Sequence, residues 1–111
     1  MDLVEAVYRV AAGWPQAERY GLWSQATRAV VSVPANIAEG HARGTDKEFA
    51  RFLGIARGSL MEAETLLTVA CRLGYTPEAD LQPVLDRMIE VSKMLSALLR
   101  TVRASALTDS Q

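Results

Sequence analysis

The chain has 111 residues, half of them hydrophobic and 23% charged, which is the size and balance of one globular domain. A net charge of -1 and a pI near 5.8 argue against an extended phosphate-binding surface, and a single cysteine, Cys71, excludes an internal disulfide. The opening MDLVEAVYRVAAGW lacks the basic start and unbroken apolar run of a signal peptide, and no apolar run approaches a membrane span, so a cytoplasmic protein is expected.

Glycine and proline punctuate the chain at Gly13-Trp14-Pro15, between Gly40 and Thr45, and at Gly74-Tyr75-Thr76-Pro77. Between these marks the apolar residues recur every three or four positions, and no strand-like alternation interrupts them. A first helix is predicted over residues 2–12, with Leu3, Val7 and Val10 on one face. The following PQAERYG reads as a separate helical turn. A second helix is predicted over 22–40, kinked at Pro34, with Leu22, Ala26, Val30, Val33 and Ile37 on one arc of its surface.

The third helix, 46–73, has the clearest start. Thr45 stands at the N-cap and Glu48 three residues on, the spacing of a capping box. Leu53, Ala56, Leu60, Ala63, Leu67 and Ala70 form one seam. Phe52, Ile55, Ser59, Glu62, Leu66, Val69 and Leu73 form a second beside it. Two seams on one helix imply more than one partner helix, and apolar surface beyond the bundle's needs implies cover from another copy. A fourth helix is predicted over 77–102, with Thr76 as cap, Pro77 at its first position, and Arg100 and Arg103 near its negative end. Its seam is Leu81, Val84, Met88, Val91, Leu95, Leu98 and Val102, and residues 104–111 are expected to fray. Together these elements predict an all-α, antiparallel up-down four-helix bundle in a single domain, 1–111.

The second helix carries a polar stripe. At about 100° per residue, Gln25, Arg28, Ser32, Asn36, Glu39 and Arg43 fall within an arc of roughly 80°. The stripe keeps its phase across Pro34, so the proline is read as lying inside a continuing helix, with Ser32 or Asn36 helping to satisfy the backbone groups it frees. Ser59 and Glu62 hold the matching places on the third helix. Gln25, Arg28, Ser32, Asn36, Glu39, Ser59 and Glu62 are therefore expected to form a structural or interface polar network. The densest basic segment, Arg43, Lys47, Arg51 and Arg57, is the candidate for nucleic-acid contacts, with Arg100 and Arg103 as a second patch.

Other chemistry lacks its groups. The only histidine, His41, is expected in a loop, and no Glu-x-x-His pair of a di-iron bundle occurs. Cys71 has no partner cysteine and reads as a small core residue. Serines 24, 32 and 59 have no neighbouring base in the sequence, and no phosphate-binding glycine loop is present. Trp14, Tyr20 and Trp23 gather at the start of the second helix, where packing is the commoner use of such rings and base stacking the rarer one. No catalytic residue, metal or cofactor is expected.

The stretches YGLWSQATRAVVSVPANIAEG, EFARFLGIARGSLMEAETLL and LGY together resemble the four-helix-bundle family called 23S ribosomal RNA intervening-sequence proteins. The resemblance runs from Leu3 to Val102. It rests on Gln25, Arg28-Ala29, the Ser32 to Gly40 pattern, Arg51-Phe52 and Gly58-Ser59. It implies an all-α bundle that assembles as a ring-like homopentamer. Related accessory proteins of diversity-generating retroelements bind a reverse transcriptase and nucleic acid through a basic surface. The family's name records a gene location, not an activity. This chain departs from the nucleic-acid-binding relatives in being slightly acidic, and in placing Trp23 where a small hydroxyl residue is more usual. The resulting expectation is a non-enzymatic homo-oligomer, a scaffold or protein-binding assembly that partners itself or another protein. An RNA- or DNA-binding accessory module is the alternative, and no membrane partner is expected.

Overall fold

The computed structural model describes residues 2–109. Among them the chain forms α1 (Asp2–Ala11), a 3-10 turn (Gln16–Glu18), α2 (Leu22–Ala42), α3 (Asp46–Arg72) and α4 (Glu78–Asp109), with no strand. The helices pack as a bundle 53 × 24 × 19 Å along its axes. Neighbours in sequence are neighbours in space: α2 lies on α3, α3 on α4, and α1 closes the square by touching α2 and α4. Ten residues make α1 less than a third the length of the 32-residue α4, so it covers only the end that carries the α3–α4 turn. There Trp14 Nε1 donates to Thr76 Oγ1 at 2.7 Å, and the Tyr75 hydroxyl donates to Glu18 Oε2 at 2.8 Å. The second bond holds the Tyr75 phenol above its usual pKa range.

The core follows the spacing of the sequence, with local shifts. The first α3 seam, Leu53, Ala56, Leu60, Ala63, Leu67 and Ala70, is wholly buried. On α1 the buried row is Leu3, Val7 and Ala11, and Val10 is only half-buried. On α4 the seam steps from Leu95 to Leu99 and Val102, leaving the expected Leu98 exposed. The i to i+4 step keeps the row over α3, whereas Leu98 turns to the side that α1 is too short to reach. Cys71 is half-buried against this core.

Four terminal features depart from expectation. The Thr45 hydroxyl accepts from the Glu48 backbone N–H at 3.2 Å, but the Glu48 carboxylate accepts from Arg51 Nε at 2.8 Å instead of returning to the cap. Half of the capping box is thus replaced by an ion pair. The Thr76 hydroxyl accepts from Trp14. It is the Pro77 carbonyl that receives the first helical bonds, from Asp80 and Leu81, which makes Pro77 the cap residue. The predicted frayed tail is helical as far as Asp109, and Ser105 hydrogen-bonds Asp46 at the start of α3. Residues 110–111 of that tail lie outside the described residues. Arg100 and Arg103 consequently sit inside α4 rather than at its negative end.

The α2–α3 corner is set by close approach. A Cβ built on Gly40 would stand 2.6 Å from Phe52 Cβ, so only glycine lets the end of α2 settle on α3. Gly44 then takes φ +85° to turn the chain towards Thr45. Gly74, at φ +82°, ends α3, where Tyr75 N–H bonds the Ala70 carbonyl and Gly74 N–H the Cys71 carbonyl, a Schellman pattern. His41 belongs to the last turn of α2 rather than to a loop, and its ring meets Phe49 edge-on at 5.7 Å.

Candidate functional site

The polar stripe on α2 divides in two. As the phase of the stripe suggests, α2 runs unbroken through Pro34. At its middle, the Ser32 and Ser59 hydroxyls share a hydrogen bond of 2.9 Å. Asn36 Nδ2 donates to the Ser32 carbonyl at 2.8 Å and to Ser32 Oγ at 2.7 Å. Three part-buried side chains thus clamp α2 to α3 at mid-height. Asn36 does not reach the Val30 carbonyl that Pro34 deprives of its donor; it bonds the Ser32 carbonyl instead. Gln25, Arg28, Glu39 and Glu62 stay outside this clamp, on the solvent side. Glu39 pairs with Arg43 at 3.0 Å, one helical turn away. Pairs as exposed as this contribute about 0–1 kcal/mol. The sequence pattern gave the stripe its phase, but burial depends on where α3 sits, and α3 reaches only the Ser32–Asn36 edge.

The candidate nucleic-acid residues also divide. Arg43 and Arg51 both lie over Phe52, their guanidinium carbons 5.0 and 4.5 Å from its ring centre, and each is paired with a carboxylate. The hydrogen bond from Arg51 holds the Glu48 carboxyl below its ordinary pKa, with the nearby charges of Arg51, Arg43 and Lys47 adding to the effect. Among the described residues Lys47 and Arg57 form no ion pair. Lys47 and Arg51 line a groove of about 460 Å³ between α3 and α4, with Arg103 as its α4 side. Arg57 lies two turns along α3 from Ala50, another residue of that groove, and on the same face. Arg103 is the residue that sequence spacing leaves apart; only the antiparallel return of α4 brings it to Lys47.

Charge is segregated along the molecule. The end built from the second half of α2 with its C-cap, the first half of α3 and the second half of α4 holds Arg43, Lys47, Arg51, Arg57, Arg100 and Arg103, against Glu39, Asp46 and Glu48. An overall charge of -1 therefore hides one basic end and one acidic end. No group of three or more His, Cys, Asp or Glu side chains among the described residues is placed to hold a metal ion. Among the described residues no helix is long and apolar enough to cross a membrane.

A third feature is the second seam of α3. Phe52 is buried, but Ile55, Val69 and Leu73 are 41, 40 and 55% exposed, and Met61 beside them is 62% exposed. Gly54 and Gly58 lie on the outward side of the same helix, and a Cβ on either would meet nothing within 4 Å. Nothing in the described chain covers this surface.

The family described as 23S rRNA-intervening sequence protein matches residues 1–97 of the sequence. That span is most of the chain and includes the Ser32–Asn36–Ser59 clamp, the Gly40 contact and both α3 seams, so the chain belongs to this family. No curated protein matches it.

Proposed function

We propose that this family member is a non-enzymatic, homo-oligomeric scaffold whose copies meet along the outward side of α3. The observation that supports it is the uncovered surface of Ile55, Met61, Val69 and Leu73 alongside two bare glycines. A glycine inside a helix is destabilising by roughly 0.5–1 kcal/mol relative to alanine. Gly54 and Gly58 gain nothing inside the chain to offset this, whereas a neighbouring helix can approach a bare backbone closely. A ring of five copies is the assembly that the family resemblance implies. The test is molar mass by light scattering. Gly58→Leu adds a side chain where the single chain has open space, so it leaves the fold intact and lowers the assembled mass. An unchanged mass in both Gly58→Leu and Ile55→Glu rules the proposal out.

A second reading, nucleic-acid binding, is favoured by the segregated charge. Lys47, Arg57, Arg100 and Arg103 carry it, rather than the ion-paired Arg43 and Arg51. On this reading an RNA or DNA oligomer binds with an affinity that falls steeply with salt, and log K changes with log salt by about -0.9 per duplex phosphate contacted. Lys47→Glu with Arg103→Glu abolishes the binding. No binding at low salt, or binding unmoved by the double reversal, removes this reading.

A further inference from the structure

The end of the bundle opposite the basic helices carries a cleft of about 290 Å³. Tyr8, Trp14, Pro15 and Trp23 line it, together with Gln16 and Arg19. The Tyr8 and Trp23 rings meet edge to face with centres 5.9 Å apart, and the Arg19 guanidinium lies 5.7 Å from the Trp23 ring. The Trp14 N–H is engaged by Thr76. Among the described residues the Tyr8 hydroxyl and the Trp23 Nε1–H make no hydrogen bond, although both residues are partly exposed. Tyr20, one residue beyond Arg19, is not part of the cleft and stands 94% exposed.

Aromatic walls with free N–H and O–H donors suit one kind of chain. Prolyl rings pack on aromatic faces. A proline-rich segment is already extended, so it loses little conformational freedom on binding, and its carbonyls are free to accept. Charge narrows the choice. Arg19 is the only charged residue of the lining, it forms no ion pair among the described residues, and no carboxylate lines the cleft. We propose that this cleft docks a proline-rich peptide segment with an acidic residue opposite Arg19. The site belongs to α1 and the start of α2, away from the outward side of α3, so it stands or falls independently of how copies assemble. It names the kind of protein that a scaffold of this shape would hold.

The experiment titrates the full chain with two short blocked peptides of identical proline content, one bearing glutamates and one lysines. Tryptophan emission reports binding, since Trp23 lies in the cleft and Trp14 is the only other tryptophan. The glutamate peptide is expected to give a saturable change, and the lysine peptide to bind about tenfold more weakly. Arg19→Glu reverses that preference. Tyr8→Phe, which removes only the hydroxyl, weakens the glutamate peptide severalfold, and circular dichroism checks that each variant is folded. No saturable change at millimolar peptide overturns the proposal. So does equal binding of the two peptides, or a preference that survives Arg19→Glu. A single-stranded oligonucleotide that outcompetes the glutamate peptide for the cleft also overturns it, by assigning the aromatic wall to bases instead.

Discussion

The two seams of α3 run side by side on one helix with the same three-four spacing, yet they meet different fates. Every residue of the inner seam is buried, held between α2 and α4. In the outer seam only Phe52 is buried, because Arg43 and Arg51 lie over its ring and the end of α2 presses on it at Gly40. Ile55, Val69 and Leu73 have no such cover. Between them, Ser59 is tied across to Ser32. The difference teaches that apolar periodicity marks a surface to be covered without saying what covers it. A neighbouring helix, a pair of guanidinium groups and an uncovered surface all look alike in the sequence.

Substitutions that separate the seams should differ most in stability. Leu60→Ala on the inner seam leaves a hole in a packed core and lowers unfolding free energy by about 2–5 kcal/mol. The same truncation at Ile55 removes a side chain that is already half in water, so urea denaturation of dilute protein should show a much smaller loss. Equal losses at the two positions would break the comparison, because they would mean that the outer seam is covered from within the chain. Next in size is Gly40→Ala. The added Cβ meets Phe52 and forces the α2–α3 corner apart, at about 1–3 kcal/mol by analogy with overpacked cores. That loss should appear as a lower midpoint with an unchanged urea slope. Thr45→Ala follows, at about 1 kcal/mol for the lost N-cap, and probes the start of both seams together.

How much of this was legible beforehand depends on range. The four main helices, the 3-10 turn, the Thr45 cap and the inner seam follow from spacing and capping chemistry, which act over a few residues. Most features that the sequence misplaced depend on distant partners: Thr76 serves Trp14 sixty-two residues away. The exception is local, since Glu48 left the capping box for Arg51 only three residues on. The α4 tail stays helical to Asp109 with Ser105 held by Asp46. On the candidate surfaces, the in-phase stripe on α2 was readable, but its division into a clamped edge and a solvent edge was not. That division is set by which edge of α2 meets α3, as the Ser32–Ser59 bond marks, and Gly40 with its missing side chain lets the two helices lie close. The basic groove was half readable. Lys47 and Arg51 lie near each other in sequence, whereas Arg103 arrives through the topology.

The smallest expected effect concerns the one covered member of the outer seam. Phe52 owes part of its cover to Arg51, and Arg51 is held over the ring by the Glu48 carboxylate. That carboxyl titrates below its ordinary value in the folded chain because Arg51 donates to its ionised form. A carboxyl depressed by folding contributes stability that is fully present above its unfolded pKa and is lost as pH falls through the folded one. Wild type should therefore exceed Glu48→Gln in stability at neutral pH, and the gap should close progressively as pH drops below the ordinary Glu range. Thr45 caps the helix through its own hydroxyl, so its contribution should stay constant over that window. If the gap persists at the acid end, it does not come from the ionised Glu48 carboxylate, and the Glu48–Arg51 pair is not what holds the cover of Phe52.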